Sequence, residues 1–119
     1  MNQDRMRLLD DYWAAIEKDQ NYTSVLKFYL PESLLVDPIY GPFRGVDEIG
    51  GFLEKVTEDM KGMNVAFSIV EKAAGDDVGW SRWTVRLPDG SEKDGVSVYR
   101  FQGDKILIQR DYIGTSELG

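Results

Sequence analysis

Val78-Gly79-Trp80-Ser81-Arg82-Trp83-Thr84-Val85-Arg86-Leu87-Pro88-Asp89-Gly90-Ser91-Glu92-Lys93-Asp94-Gly95-Val96-Ser97-Val98-Tyr99-Arg100-Phe101 alternates side-chain character on both sides of a single turn. A period of two marks a strand with two unlike faces, so the segment reads as strands over 78–87 and 92–101. Pro88-Asp89-Gly90 joins them by a mechanism, because proline presets φ and glycine accepts φ > 0. The same period runs through 64–73 and 105–113, with Ala74-Gly75-Asp76-Asp77 and Gln102-Gly103-Asp104 as connections. Long strands joined by such short loops must be antiparallel. Parity then sorts the side chains of 78–87. Trp80, Arg82, Thr84 and Arg86 share one face, and Ser81, Trp83, Val85 and Leu87 share the other. Both faces carry a tryptophan, whereas a sheet with one wet face needs a single apolar side. Helices can cover one face, so the other is expected to be the subunit interface of a homodimer.

Upstream the period lengthens. Met6, Leu9, Trp13 and Ile16 recur at three- and four-residue steps, which predicts an amphipathic helix over about 4–18. Asp19-Gln20-Asn21 breaks it, and a short second helix over about 23–29 carries Val25, Leu26 and Tyr29 until Pro31 stops it. Leu34-Leu35-Val36-Asp37 reads as a brief strand ended by Pro38. Proline cannot donate to a ladder, so an edge or terminal strand is expected, with Asp37 at its end. The segment 39–44 reads as a loop. Gly45 is the expected N-cap of a third helix, with Asp47 and Glu48 in the first turn, where the helix dipole favours negative charge. Ile49, Phe52, Leu53, Val56 and Met60 form its apolar stripe, and Gly62 stops it. Gly50-Gly51 inside this helix costs about 1 kcal/mol per residue relative to alanine. The pair points either to close approach of helix and sheet or to room for a ligand. Helices first and a meander second define an α+β fold, with three N-terminal helices on one face of a curved antiparallel sheet. One domain over 1–119 is expected, without repeats or linkers.

Composition narrows the chemistry. Among 119 residues 42% are apolar and 12% aromatic, enough for a packed core. The 14 basic and 21 acidic residues give a net charge of −7, so neither nucleic acid nor an anionic membrane is an expected partner. The chain has no cysteine, which excludes disulfides, thiolate nucleophiles and cysteine-ligated metals. It has no histidine, which excludes an imidazole base, a Ser-His-Asp triad and histidine-ligated metals. Acid–base chemistry must therefore come from Asp, Glu, Tyr, Lys or Arg. The opening Met1-Asn2-Gln3-Asp4-Arg5-Met6-Arg7 is too polar and acidic for a targeting peptide. No apolar run approaches the roughly 20 residues of a membrane span. Asn21-Tyr22-Thr23 matches a glycosylation pattern without a secretory context, and a soluble cytoplasmic protein is expected.

Several motifs in this order resemble the nuclear transport factor 2-like superfamily, its SnoaL-like branch above all. They are Tyr12-Trp13-Ala14-Ala15, Val36-Asp37-Pro38 and Phe43-Arg44-Gly45-Val46-Asp47-Glu48-Ile49. Gly95-Val96-Ser97-Val98-Tyr99-Arg100-Phe101, Lys105-Ile106 and Arg110-Asp111-Tyr112 complete the set. The resemblance implies a cone-shaped barrel in which sheet and helices enclose a blind, mostly apolar pocket. It also implies site residues. Against the ketosteroid isomerases, Tyr12 falls on the oxyanion-donating tyrosine and Asp37 on the general base, while Ser97 stands where they carry a protonated aspartate. Against the limonene epoxide hydrolases, Arg82 falls on the catalytic arginine and Asp111 on the late aspartate, while Thr84 replaces the other aspartate. The SnoaL-type cyclases use a pocket aspartate as acid–base catalyst, a part open to Asp37 or Asp111.

A partly desolvated carboxylate at a pocket mouth is a better base near neutral pH. The enolate it creates needs a donor, which Tyr12 or Ser97 would supply. Asp37 has a second reading, as a turn opener whose side chain bonds the following backbone. Arg82 and Asp111 are either a charged pair facing substrate or an ion pair tying the sheet. Trp80, Tyr40, Phe43, Phe52 and Tyr99 are the candidate substrate contacts, with core or interface packing as the other reading. The expected function is a pocket enzyme without metal or cofactor, using Asp general acid/base chemistry on a small apolar carbonyl compound, by isomerisation, cyclisation or dehydration. The alternative is a non-catalytic ligand-binding or dimerisation module of the same fold, which Ser97 and Thr84 favour.

Overall fold

Helix α1 (Gln3–Asp19) buries Leu9, Tyr12, Trp13 and Ile16 along one stripe, following the 3.6-residue period. Each such side chain contributes about 1.5–3 kcal/mol when fully removed from water. The computed structural model describes residues 2–19 and 21–114, so Gln20 of the expected break and Met1 of the opening segment lie outside the described residues. Asn21 starts the next element by accepting from the Thr23 amide at 3.1 Å. That element is a 3-10 helix, Tyr22–Phe28, and β1 (Tyr29–Asp37) follows directly. Pro31 therefore lies inside β1 rather than ahead of it. The ladder between β1 and its neighbour is irregular between Tyr29 and Leu34, and this is where a residue lacking N–H fits.

The expected loop over 39–44 is corrected. Gly41–Arg44 forms strand β2, which pairs antiparallel with β1 through Leu34–Arg44, Leu35–Phe43 and Val36–Pro42. The proline rule applies to Pro42 on this edge strand, while β1 lies inside the sheet. Helix α2 (Gly45–Met60) starts where expected, but Arg44 is its N-cap, with its amide donating to Glu48 Oε1 at 3.0 Å. Gly45 takes φ +85°, and a Cβ there would stand 3.2 Å from the Pro31 carbonyl, so the turn into α2 requires glycine. The two mid-helix glycines differ. A Cβ on Gly50 would meet Leu26 Cδ2 at 3.2 Å, so at this glycine α2 closes on the 3-10 helix; Gly51 faces open space.

Strands β3 (Ala66–Ala74), β4 (Val78–Arg86), β5 (Glu92–Gln102) and β6 (Lys105–Ile113) form the expected antiparallel meander. Among the described residues the sheet has six strands in the order β2-β1-β6-β5-β4-β3. It is mixed, because β1 runs parallel to β6, and it does not close into a barrel, because β2 and β3 remain edges. The short-loop rule governs neighbours in sequence, and β1 and β6 are far apart in the chain. Their pairing sets Leu35 beside Gln109 and Val36 beside Arg110, which carries Asp37 to the level of Asp111. The helices cover the face bearing Ser81, Trp83, Val85, Ser97, Tyr99 and Gln109, all buried. Among the described residues no helix is long and apolar enough to cross a membrane.

Candidate functional site

Strand parity on the covered face brings Ser81, Ser97 and Asp111 into one row, since Ser81 pairs with Ser97 and Ser97 with Asp111. Gln109, two residues before Asp111, shares its face and is buried. Helix α1 lays Tyr12 and Trp13 over this row, and β1 contributes Tyr29 from its first residue. The result is a continuous hydrogen-bonded chain. Trp83 Nε1 donates to Ser97 Oγ at 3.0 Å, and Ser97 Oγ donates to Asp111 Oδ1 at 2.7 Å. Gln109 Nε2 donates to the same Oδ1 at 3.0 Å and to the Tyr12 hydroxyl oxygen at 3.3 Å. Tyr29 donates to Gln109 Oε1 at 2.6 Å and lies 3.0 Å from the Tyr12 hydroxyl.

Counting protons fixes the direction of every bond. A tyrosine hydroxyl has one proton to give. Tyr29 gives its proton to Gln109, so the Tyr12–Tyr29 bond must use the proton of Tyr12. Tyr12, Tyr29 and Gln109 thus close a ring in which each donates to the next. Neither Tyr12 nor Ser97 retains a free proton, since the serine's is committed to Asp111. The expected oxyanion donors face inward.

Asp111 is only partly exposed, and burial pushes its carboxyl up to about 6, against the bonds from Gln109 and Ser97 that favour the anion; the Asp37 charge adds to the rise. Its Oδ1 takes two hydrogen bonds. Its Oδ2 takes none among the described residues, yet it is not among the sealed polar atoms lacking a partner. Oδ2 is therefore the atom open to proton exchange. Burial likewise holds the Tyr12 hydroxyl up, at about 12, and the Tyr29 and Tyr99 hydroxyls well up. All three stay protonated near neutral pH.

The other sequence-derived candidates fall elsewhere. Asp37 Oδ2 accepts from the Ile39 and Tyr40 amides, both at 2.9 Å, which is turn-opener geometry. Arg82 does not meet Asp111. It projects from the opposite face, 47% exposed and 3.2 Å from Glu71, because residues of even number on β4 point away from the helices. Trp80 shares that outer face. Tyr99 lies in the core, donating to Ser81 Oγ at 3.1 Å and accepting from Trp13 Nε1 at 3.1 Å. Tyr40, Phe43 and Phe52 do gather. Phe43 stacks on Phe52 at 4.4 Å, and with Tyr40, Glu48, Gly51 and Lys55 they line a solvent-open depression of about 510 Å³ at the β2 edge of the sheet, where register sets Phe43 beside Leu35 on the covered face. Within that face Tyr12 makes edge contact with Trp13, Tyr29 and Tyr99. Among the described residues no cluster of three or more acidic side chains is placed to hold a metal ion. Gln109 and Tyr29 were missed from the sequence, although a glutamine at the parity of Asp111 was the available signal.

The fold and this polar core define a SnoaL-like α+β protein. The family model of the SnoaL-like domain matches residues 9–108, so the chain belongs to that family. Solved structures share the fold at low identity. A nuclear transport factor 2-like protein of unknown function from Burkholderia pseudomallei is 18% identical, with a TM-score of 0.77 over 98% of this chain and 95% of that one. One from Mesorhizobium loti is 14% identical, with a TM-score of 0.76 over 95% and 93%. A protein with a ketosteroid isomerase-like fold from Catenulispora acidiphila, solved with trimethylamine, is 19% identical, with a TM-score of 0.69 over 87% and 83%. No curated protein sequence matches the chain.

Proposed function

We propose that this protein is a cofactor-independent enzyme in which Asp111, rather than Asp37, exchanges a proton with a small apolar carbonyl compound. The carrying observation is the asymmetric anchoring of its carboxyl, with Oδ1 held by Ser97 and Gln109 and Oδ2 left open. A group poised near neutrality suits both halves of an isomerisation. As carboxylate it takes a proton from the carbon beside a carbonyl, and the C–H electron pair becomes an enolate. As carboxylic acid it returns that proton to another carbon. Tyr12 and Ser97 would stabilise the enolate only by giving up an internal bond. The site therefore favours a substrate that spreads its own charge, such as a 1,3-dicarbonyl. The test is deuterium uptake from D₂O into a panel of small 1,3-dicarbonyl compounds. Wild type should catalyse exchange with a rate rising to a plateau above about pH 6, Asp37→Asn should keep it, and Asp111→Asn should lose about 10²–10⁴-fold. Equal rates in wild type and Asp111→Asn would sink the assignment. The commitment of the Tyr12 and Ser97 protons to internal bonds favours the second reading, a non-catalytic module, which predicts no exchange by any variant.

The outer sheet face supports the assembly we propose, a homodimer. Trp80, Val78 and Tyr112 are exposed there beside Val96 and Val98. Arg100 stands opposite Val78 and Arg110 opposite Val98, neither in an ion pair among the described residues, and Asp94 and Glu92 lie toward the start of β5. A second copy turned about an axis across the strands sets Asp94 over Arg100 and Tyr112 over Arg110. In sedimentation the wild type should be a dimer, and Trp80→Glu or Arg100→Glu should be monomers. A monomeric wild type would end this proposal.

A further inference from the structure

We propose that Gln109 is the positioning residue of the site: its amide, locked in one orientation by Tyr12 and Tyr29, holds Asp111 Oδ1 as an acceptor and leaves Oδ2 to exchange the proton. This rests on the reading that Asp111 is the proton-exchanging group, and adds the device that orients it.

The orientation of the amide follows from what the reverse would do. Turned over, Gln109 would bring its oxygen 3.0 Å from Asp111 Oδ1, two acceptors with no proton between them. Its nitrogen would then stand 2.6 Å from the Tyr29 oxygen, short for an N–H···O bond. Gln109 is 2% exposed, so water is not at hand to repair either fault. Tyr29 enforces the observed state by giving its proton to Oε1, and Tyr12 completes the ring by accepting from Nε2. Tyr29 makes no bond to Asp111 among the described residues, yet it governs which end of the amide Asp111 meets. The ring is a clamp made of neutral groups, and it spares the site a buried cation. The groups facing Asp111 are Asp37 from β1, Tyr12 from α1, Tyr29 from β1, and Ser97 and Tyr99 from β5. Of these Asp37 is the charged one.

The experiment follows the Asp111 carboxyl carbon by NMR from about pH 4 to 8 in wild type, Gln109→Leu and Tyr29→Phe. Gln109→Leu removes one N–H bond to the ionised form, so its midpoint should rise by about one pH unit. Tyr29→Phe removes one oxygen and frees the amide to turn, so its midpoint should rise by about half a unit although Tyr29 does not touch Asp111. A structural glutamine would lower the melting temperature and leave both midpoints in place, which would overturn the proposal. Tyr29→Phe keeps the test open if the leucine variant does not fold. No substrate is needed. Shifted midpoints together with deuterium exchange indifferent to Asp111→Asn would end the enzymatic reading and leave the clamp standing. Unshifted midpoints with exchange dependent on Asp111 would do the reverse.

Discussion

Asp111→Asn is expected to be more stable than wild type above pH 6 while losing its proton-exchange activity. The ordinary carboxyl value is 3.8, and in the folded protein burial raises it to about 6. Between these values the native state binds more protons than the unfolded chain, so stability falls as pH rises through the window. Below pH 4 both states carry the neutral acid and the cost vanishes. Above pH 6 it is fully developed, at up to about 3 kcal/mol, given about 1.4 kcal/mol per unit. The asparagine keeps an oxygen for Ser97 and Gln109 and carries no charge. Its advantage in urea unfolding should therefore be about 1–3 kcal/mol at pH 7.5 and close to zero at pH 4. Parallel curves for the two proteins across this range would show that burial does not penalise the Asp111 anion.

Gly95→Ala is expected to be among the most damaging single-methyl changes in the chain. Gly95 pairs with Trp83 across β4 and β5, and the indole lies over its bare Cα. A Cβ there would fall far inside van der Waals contact with Trp83 Cζ2 and Cη2. The ring must move, at a cost of about 3 kcal/mol. The same ring donates to Ser97, which donates to Asp111, so the methyl group also loosens the anchor of the carboxyl. Urea unfolding reads the first effect, and the near-ultraviolet dichroism of Trp83 reads the second. Gly51→Ala is the control of opposite sign. It lies in the interior of α2 facing open space and should stabilise by up to about 1 kcal/mol. Equal stability of Gly95→Ala and wild type would mean that Trp83 does not rest on Gly95.

How much of this could be read in advance depended on whether the controlling contact was local. The period of two gave the β3–β6 meander and placed Trp80 and Trp83 on opposite faces, because parity is a property of one strand. The stripes of α1 and α2 were equally local. Strand β2 was not legible, since Gly41-Pro42-Phe43-Arg44 has loop composition and becomes a strand through its pairing with β1. The parallel pairing of β1 with β6 joins segments distant in sequence, and no turn signal announces it. The site followed the same rule. Resemblance picked out Asp111, Ser97 and Tyr12 as chemistry-bearing residues, but it could not show where their protons point. That needed Gln109 and Tyr29, whose importance arises from distances between α1, β1 and β6. Arg82 was misplaced because a resemblance carries residue identity across relatives, whereas its face here is set by β4 parity.

The most direct test of the central claim is the titration of the Asp111 carboxyl in the wild-type protein, followed at its own carbon. A single midpoint near 6, absent from the Asp111→Asn spectrum, is the predicted result, and it would establish a carboxyl able to take and return a proton near neutral pH. A midpoint near 4, the value of an ordinary surface aspartate, would contradict it and return Asp111 to the role of a sheet residue that happens to meet a serine and a glutamine.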